Sequence, residues 1–348
     1  MIPLSPPLPR VSLIVPCRNE ARYIERCVGS LLALDYPAGQ VEILVVDGMS
    51  GDGTQEIVAA LASANPDVRL LENPLQITSS ALNIGVRAAT GEAIFIIGAH
   101  SVYPPHYVRR LVEHLRSSGA EVVGGACVTT PGAATSTSRA IAVAMSHPFG
   151  VGNSYFRLGS AEARWVDTVP FGCYRRDVFD RFGHFDEELV RNQDDEFNLR
   201  ILKSRGRLLL VPDVTSTYYA RASLRQLTRM FYQYGYYKPL VARKLGRIMT
   251  LRQLVPGALV AGLTATALLA PWSRVSTALF VVISGAYVAV NLVASLHSAR
   301  RRCGPLRLAA TFAVMHMSYG FGFLVGALRL ASGVPMNRRS PAASPLSR

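Results

Sequence analysis

Acidic residues are missing from the last third of this 348-residue chain. Every Asp and Glu precedes Val241, whereas thirteen Arg and Lys follow it, so the first 240 residues carry only about +1 of the formal charge of +14. A basic tail can bind nucleic acid, but this tail is also strongly apolar, and the combination indicates a membrane. We therefore predict membrane lipids as a partner and exclude nucleic acid.

Cysteines are few and scattered, five in number with no Cys-x-x-Cys pair. This pattern argues against a zinc site or a disulfide framework and favours reduced thiols in a cytosolic compartment. The Pro-rich first ten residues lack the apolar core of a signal peptide. We therefore expect the first domain to stay in the cytosol.

Three apolar segments lie near the C-terminus, at residues 254–272, 275–296 and 308–328. Each is roughly the ~20 residues that cross a ~30 Å hydrocarbon layer, although buried helices of a soluble domain are the alternative. Gly322 and Gly326 in the third segment form a small-xxx-small pair that suits close helix contact.

The distribution of basic residues around these segments predicts a multi-pass protein of the plasma membrane with a cytosolic N-terminal domain. The hairpin tip between the first two segments has only Arg274. The tail then falls outside, which conflicts with Arg338 and Arg339; either the third segment is re-entrant or the earlier charges dominate. Eight Arg and Lys precede the first segment or separate the second from the third: Arg243, Lys244, Arg247, Arg252, Arg300, Arg301, Arg302 and Arg307.

Strands and helices alternate over the first half of the chain. β-branched runs at residues 11–15 and 41–46 predict strands, and the helix between them places Ile24, Cys27, Val28, Leu31 and Leu32 on one face. This rhythm is typical of an α/β domain with a mostly parallel sheet. Further strands are predicted at residues 68–71, 92–97, 121–128 and 207–211, and helices at 79–89, 105–117, 195–204 and 224–245.

Two other regions carry weaker signals. Residues 131–163 are rich in Gly, Ser, Thr and Ala, and we predict a loop with a short helix near residues 141–145. The helix at residues 224–245 is both aromatic and basic, which predicts a position at the level of the lipid headgroups.

Polar loops follow the first two strands, at residues 17–20 and 47–54. The carboxyl ends of parallel strands are where open α/β sheets bind ligands. A cation and carboxylates at that edge suit a nucleotide, with Asp47 on a base or ribose and Arg18 on phosphate. The alternative is that Asp47 and the glycines after it only form a tight turn.

Seven stretches, in order, resemble family 2 glycosyltransferases of the GT-A fold, and among them the membrane-attached succinoglycan-biosynthesis type. The resemblance implies a Rossmann-like GT-A domain with a mostly parallel sheet at residues 1–245, followed by an all-α membrane region of three helices at 246–348. The stretches are VSLIVPCRNE, VVDGMSGDGT, ALNIGVRAATGEAIFIIGAHSVYPPHYV, SHPFGVGNSYFR, VDTVPFGCYRRDVF, FDEELVRNQDDEFNLRI and YQYGYYK.

The implied activity is inverting transfer of a sugar from a nucleotide-diphosphate sugar. The acceptor would be a polyprenyl-phosphate-linked or growing glycan at the cytoplasmic membrane face, in polysaccharide or glycolipid biosynthesis. One alternative is a degenerate relative that binds nucleotide sugar and regulates a partner, since Gly98 and Gln193 replace acidic residues. Another is a processive synthase, against which the weak match of Gln226, Arg229 and Met230 to a Gln-x-x-Arg-Trp motif argues.

On the donor side, Gly98-Ala99-His100 stands where the family has Asp-x-Asp or Asp-Ala-His. A hard divalent cation, Mn²⁺ or Mg²⁺, prefers oxygen ligands, and His100 alone is a poor ligand for Mg²⁺ and a fair one for Mn²⁺. Three alternatives follow: the diphosphate and His100 hold the metal, cationic side chains replace it, or catalysis is lost. The resemblance implies donor contacts from Pro16, Arg18, Glu20, Asp47, Asp52, Asn83 and Gly98.

On the acceptor side, residues 192–200 match the family's Glu-Asp-x-Glu-Leu-x-x-Arg block. Gln193 replaces the first Glu, and Asp194 keeps the position of the general base that an inverting transfer needs. Asp195 and Glu196 also suit the start of a helix. The resemblance implies that Asp167, Gly172 and Gln193 line the acceptor site, with Gly172 allowing close approach of the backbone to a sugar.

Overall fold

The computed structural model describes residues 7–246, 250–299 and 303–336. The basic residues Arg247, Arg338 and Arg339 and those at 300–302, used above to predict orientation, lie outside the described residues. The chain forms two compact units. The first runs to Val128 and resumes over Gly159–Tyr218, and the second contains Thr129–Leu158 and continues from Tyr219. The predicted domain boundary after residue 245 falls within the second unit.

A mixed β-sheet forms the core of the first unit. Its order is β3-β2-β1-β4-β8-β6-β9-β5, with β7 paired to β9. The predicted parallel arrangement is confirmed for β1 to β4, whereas β8 and the strands beyond it add antiparallel pairs. The described strands are β1 (Val11–Cys17), β2 (Val41–Asp47), β3 (Val68–Glu72), β4 (Ala93–Ile96), β5 (Ser101–Val102), β6 (Val122–Thr130), β7 (Arg164–Val166), β8 (Cys173–Arg175) and β9 (Leu208–Tyr219).

Helices cover this sheet and make up most of the second unit. Those that mainly belong to the first unit are α1 (Ile24–Leu32), α2 (Thr54–Ala64), α3 (Thr78–Ala88), α4 (Tyr107–Ser118), α8 (Asp177–Phe182) and α9 (Gln193–Lys203). Those of the second unit are α5 (Ser136–Ala144), α6 (Pro148–Val151), α7 (Tyr155–Leu158), α10 (Leu224–Leu245), α11 (Val255–Leu269), α12 (Arg274–Ser298) and α13 (Pro305–Ala331).

The central strands are buried on both faces, which explains their continuous β-branched sequence. Cys17 aligns with Asp47 where β1 and β2 end together. The pairing of β1 with β4 ends at Ile14 and Ile96, followed by a last hydrogen bond from the Ile97 N–H to the Ile14 carbonyl. Pro16 lies directly beyond this end, where its missing N–H stops the ladder.

Helices α1 and α3 pack against the sheet. In α1, Ile24, Cys27, Val28 and Leu31 are buried as predicted, but Leu32 is 38% exposed because it lies off that face at the end of the helix. Helix α3 approaches β1 at Gly85, where a Cβ atom would overlap Ile14. A glycine at this position therefore sets the distance between helix and sheet.

Residues 131–163 were predicted as a loop with one short helix near residues 141–145, and they contain three helices, of which α5 overlaps the predicted one and α6 and α7 were missed. Helix α5 begins at a Thr135 cap, whose hydroxyl accepts a hydrogen bond from the Ser138 N–H at 3.1 Å. Both α5 and α6 pack against α13. The His316 ring of α13 lies 2.7 Å from the Phe149 carbonyl and 3.1 Å from the Tyr287 hydroxyl. Tertiary contacts thus stabilise helices that the local sequence signals weakly.

Helix α10 packs against α13 at backbone distance. A Cβ atom on Gly322 or Gly326 would overlap the carbonyl of Tyr232 or Tyr236, so the predicted close helix contact is present. Tyr236 is buried. The sequence predicted a helix at the level of the lipid headgroups, and the structure adds that α13 covers one face of α10.

Two helices of the described residues are long and apolar enough to cross a membrane, α12 with 25 residues and α13 with 27. Helix α11 has 15 residues and is shorter than such a span requires. The prediction of three spanning segments is thus supported for two by length and composition.

Glu42 of β2 is a buried carboxylate, 4% exposed. Its Oε1 atom accepts hydrogen bonds from the Ser12 hydroxyl at 2.5 Å and from the Thr90 hydroxyl at 2.8 Å. Burial acts to raise the pKa of Glu42, but these hydrogen bonds outweigh it and hold the pKa below 4.5. Glu42 therefore stabilises the fold as an anion.

The lowered pKa fixes the sign of a pH effect. The stabilisation that ionised Glu42 contributes is fully present above the pKa that Glu42 has in the unfolded chain. It is lost as the pH falls through the lower pKa of the folded protein. We expect Glu42→Gln to cost roughly 1–3 kcal/mol at pH 7. The difference in unfolding temperature from the parent chain should shrink as both are measured at pH values progressively below the ordinary glutamate pKa of about 4.3. A difference that stays constant over this range would contradict the assignment.

Candidate functional site

Hydrogen bonds join the loops that follow β1 and β2. Asn19, which has a left-handed backbone with φ of 53°, donates its N–H to the Ser50 hydroxyl at 2.8 Å. Its side-chain oxygen accepts from the Gly51 N–H at 3.0 Å. The Glu20 N–H donates to the Thr54 hydroxyl at 2.9 Å. The two polar loops predicted from the sequence therefore form one structure at the carboxyl edge of the parallel strands.

Asp47 lies fully buried at the base of this edge. Its carboxylate accepts from the Ser50 N–H at 2.8 Å, the Ser50 hydroxyl at 2.5 Å and the Gln55 side chain at 2.5 Å. The Cys17 thiol lies 3.6 Å away, and burial together with this carboxylate raises the pKa of the thiol. Asp47 thus organises the turn, and its contact with a nucleotide base stays a prediction.

Asp52 links the same two loops from the exposed side. Its carboxylate accepts from the Ala21 N–H at 3.2 Å and from the Thr54 hydroxyl at 2.5 Å. Partial burial acts to raise the pKa of Asp52, yet these hydrogen bonds lower it overall. Beside it, the aliphatic stem of Arg18 packs over Gly48, where a Cβ atom would lie 3.3 Å from the Arg18 Cβ. Pro16 and Arg18 are partly buried.

Glu20 and His100 meet although 80 positions separate them. The His100 Nδ1 atom lies 3.6 Å from the Glu20 Oε1, with side chains that are 20% and 10% exposed. The ring of Tyr218 packs edge-on against His100 at a centroid distance of 5.1 Å. This pair brings a carboxylate and an imidazole together at the ends of β1 and β4.

The position of the missing acidic residue, Gly98, is filled by an aromatic ring. A Cβ atom on Gly98 would overlap the ring of Phe171. The Gly98 N–H donates to the Tyr103 hydroxyl at 2.8 Å. Phe171 itself has a positive φ of 45°, which aromatic residues rarely adopt. The structure around Gly98 is therefore built for a residue without a side chain.

Asn83 of α3 holds the segment that precedes α9. Its amide nitrogen donates to the Phe185 carbonyl and the Glu187 carboxylate, both at 2.9 Å, and its oxygen accepts from the Phe185 N–H at 2.9 Å. The amide is 3% exposed. A donor contact by Asn83, as predicted, would have to share or replace these bonds.

Asp194 lies exposed in the first turn of α9, and Glu196 in the same turn is buried. Glu196 forms an ion pair with Arg200, with oxygen–nitrogen distances of 2.5 and 2.9 Å. Burial raises the pKa of the Tyr174 hydroxyl, and the neighbouring Asp194 carboxylate raises it further. Glu196 is therefore buried in an ion pair, whereas Asp194 is exposed.

Asp167 belongs to a segment that lies against α9. Asn198, one turn after Asp194, donates to the Thr168 hydroxyl at 3.2 Å and lies 3.4 Å from the Tyr174 hydroxyl. The segment after β7 that carries Asp167 is thus fixed against α9. Gln193 contributes a buried side-chain oxygen that has no hydrogen-bond partner within the described residues.

Gly172 has a packing role that the prediction did not include. A Cβ atom there would lie 2.8 Å from Val122 and 3.0 Å from the Tyr174 ring. Packing therefore requires a residue without a side chain here, and the approach of a sugar to the Gly172 backbone stays a prediction.

The predicted residues therefore form two groups. Arg18, Glu20, Asp47, Asp52 and His100 lie at the edge formed by β1, β2 and β4, whereas Asp167, Gln193 and Asp194 lie around the start of α9. Sequence reasoning missed the Glu20–His100 pair and the role of Phe171. The adjacency of the first and fourth parallel strands, usual in this class of sheet, was the signal for the pair.

Comparison with protein families gives one matching family model, "Glycosyl transferase family 2", over residues 12–183. The succinoglycan biosynthesis protein ExoA of Rhizobium meliloti is 33% identical over 316 residues, covering 89% of this chain and 93% of that protein. A dolichyl N-acetyl-alpha-D-glucosaminyl phosphate 3-beta-D-2,3-diacetamido-2,3-dideoxy-beta-D-glucuronosyltransferase of Methanococcus voltae is 27% identical, covering 67% and 74% of the two chains.

Comparison with solved structures gives a mannosyltransferase, PcManGT from Pyrobaculum calidifontis, solved in complex with GDP-Man and Mn²⁺. The TM-score is 0.59 at 22% sequence identity, covering 89% of this chain and 87% of that chain. This similarity establishes the GT-A fold.

Proposed function

This chain is a glycosyltransferase of family 2, and we propose that it moves a sugar with inversion from a nucleotide-diphosphate sugar to a lipid-linked or growing glycan acceptor at the cytoplasmic membrane face. The observation that carries the proposal is the polar edge formed by the loops after β1 and β2. There, Arg18, Glu20, Asp47 and His100 come together on a GT-A sheet. Such an edge is where open α/β sheets bind nucleotides.

The proposed donor site divides its tasks among these residues. Arg18 carries the charge that suits a diphosphate, and Asp47 and Asp52 hold the loops in the conformation that meets the nucleotide. The mannosyltransferase of the same fold binds GDP-Man together with Mn²⁺, which supports a nucleotide sugar as the donor here as well.

The residues present fit a divalent cation only with help from the substrate. No group of three or more His, Cys, Asp or Glu side chains capable of holding a metal occurs within the described part of the chain. Glu20 and His100 supply one oxygen and one nitrogen ligand, and the diphosphate would supply the rest, a set that suits Mn²⁺ better than Mg²⁺. The ion would neutralise charge on the leaving diphosphate.

The proposed acceptor site lies at the start of α9. Asp194 would take the proton from the acceptor hydroxyl as that oxygen attacks the anomeric carbon. The buried Gln193 oxygen can accept a hydrogen bond from another hydroxyl of the acceptor, which would satisfy an atom now without a partner. Asp167 would contact the same sugar from the segment after β7.

A membrane location agrees with α12 and α13, and the relative named for succinoglycan biosynthesis supports a role in polysaccharide assembly. We propose a plasma-membrane protein with a cytosolic catalytic domain at residues 1–245 and a membrane region at residues 246–348.

The proposal is tested by measuring the unfolding temperature of the detergent-solubilised full chain with a panel of nucleotide sugars, each with and without Mn²⁺. We expect one donor to raise the unfolding temperature, by the equivalent of about 2.7 kcal/mol at 100 times its Kd. Mn²⁺ should increase this shift, and the same donor should release nucleoside diphosphate when acceptor is added. Binding without turnover under every condition would favour the alternative, a degenerate regulator.

The variant His100→Ala tests whether His100 is a ligand of Mn²⁺. The variant should keep the shift caused by the nucleotide sugar alone and lose the increment caused by Mn²⁺. A full Mn²⁺ increment in His100→Ala would show that His100 is not a ligand.

A further inference from the structure

The second unit contains a cavity of 650 Å³ between α10 and α13. Arg225, Arg229 and Tyr232 line it from α10, and Met317, Ser318 and Phe321 line it from α13. Both guanidinium groups belong to residues that are exposed on α10. The catalytic residues proposed above do not include any of these six.

The two arginines share one face of α10, since positions 225, 229 and 232 recur at helical spacing. Like charges one turn apart repel each other and destabilise a helix. No Asp or Glu occurs in Thr129–Leu158 or anywhere after Asp213, so the second unit has no carboxylate of its own to offset this repulsion. An anion from outside the unit is the complementary partner.

The remaining walls of the cavity are apolar or carry hydroxyl groups. Phe321 is 57% exposed, so its ring is available to an apolar ligand. Met317 adds a flexible apolar surface, and the Ser318 and Tyr232 hydroxyls can donate hydrogen bonds to an anion. The cavity thus presents two guanidinium groups next to an apolar wall on a helix that is apolar enough to span a membrane.

Arginine binds phosphate oxygens through two parallel N–H donors, and an apolar wall suits a hydrocarbon chain. A nucleotide would need a group for its ribose or base, commonly a carboxylate, and the second unit has none. We propose that this cavity binds the phosphate of a long-chain prenyl phosphate, the lipid that carries the acceptor. The inference rests on the proposed lipid-linked acceptor and assigns the place where its phosphate is held.

Native mass spectrometry of the full chain in detergent tests the site directly. The probes are a C55 polyprenyl phosphate, the neutral polyprenol of equal length, phosphatidylglycerol and inorganic phosphate. We expect the prenyl phosphate to bind best. Arg225→Gln combined with Arg229→Gln should weaken its binding at least about tenfold. Phe321→Ala should weaken binding of the prenyl phosphate without changing that of inorganic phosphate.

Arg243→Gln is the matched control, because Arg243 is an exposed arginine of the same helix that does not line the cavity. It should change the affinity less than about twofold. An equal loss in this control, equal binding of the neutral alcohol or equal binding of phosphatidylglycerol would each overturn the proposal.

The nucleotide-sugar unfolding assay separates this inference from the proposed function. The double variant should keep its stabilisation by the donor, and loss of that stabilisation would assign the cavity to the donor and overturn the inference. Failure of every donor to react, with phosphate-dependent lipid binding intact, would refute the transfer activity and leave the lipid site standing.

Discussion

Asp194→Asn is expected to lower the rate of sugar transfer by roughly 10²–10⁴-fold. An inverting displacement needs one carboxylate to accept the proton of the attacking hydroxyl, and an amide cannot do so at neutral pH. Asp194 is exposed in the first turn of α9, the helix whose Asn198 is hydrogen-bonded to the segment that carries Asp167. Radiolabelled sugar transfer to membranes, measured beside thermal unfolding, provides the test.

The neighbouring acidic residues supply the controls for this substitution. Asp195→Asn should keep transfer near the level of the parent chain. Glu196→Gln should mainly lower the unfolding temperature, because Glu196 is buried against Arg200. Asp194→Asn removes only an exposed charge near a helix start, worth about 0.3–1 kcal/mol, so its unfolding temperature should change little. Unchanged transfer by Asp194→Asn would remove the general base from the mechanism.

Gly98→Asp, which restores the family's first acidic residue, is expected to damage the protein. The new side chain would overlap the Phe171 ring. Overpacking typically costs 1–3 kcal/mol, and a carboxylate held there without partners adds a similar amount, so we expect a loss of roughly 2–6 kcal/mol. Thermal unfolding and the yield of folded protein measure the effect.

Two further variants test whether the overlap with Phe171 causes the loss of stability in Gly98→Asp. Gly29→Asp introduces the same side chain at an exposed glycine of α1 with no neighbouring atom within 4 Å of its Cβ, and it should cost far less. Adding Phe171→Ala to Gly98→Asp should recover part of the lost stability, since it opens the space. If Gly98→Asp folded as well as the parent chain and transferred sugar faster, the Phe171 packing would not explain the missing carboxylate.

The sequence predicted the ends of β1, β2 and α10 correctly or nearly so, because residues within or next to these segments determine where they begin and end. The β-branched runs of β1 and β2 were located to within two residues, because polar loops bound them on both sides. Helix α10 was predicted with its observed ends, since Ser223 caps its start and Gly246 adopts the left-handed conformation after its end.

Long-range contacts decided the features that the sequence did not reveal. Strand β8 has only three residues, and its antiparallel pairing with β4 brings Phe171 close to Gly98. Helices α5 to α7 are poor in periodic apolar residues and depend on contacts such as that between His316 and Phe149. The Glu20–His100 pair likewise depends on which strands are neighbours, a property of the whole sheet.

The path of the chain also limits how this enzyme can be cut into parts. After β6 the chain forms α5, α6 and α7, of which α5 and α6 pack on α13, and it then continues into β7. A truncation after residue 245 would remove α11 to α13 and expose the faces of α5, α6 and α10 that pack on α13, so the fragment would tend to aggregate in water. A soluble version would have to end before α10 and also replace residues 129–158 with a short linker.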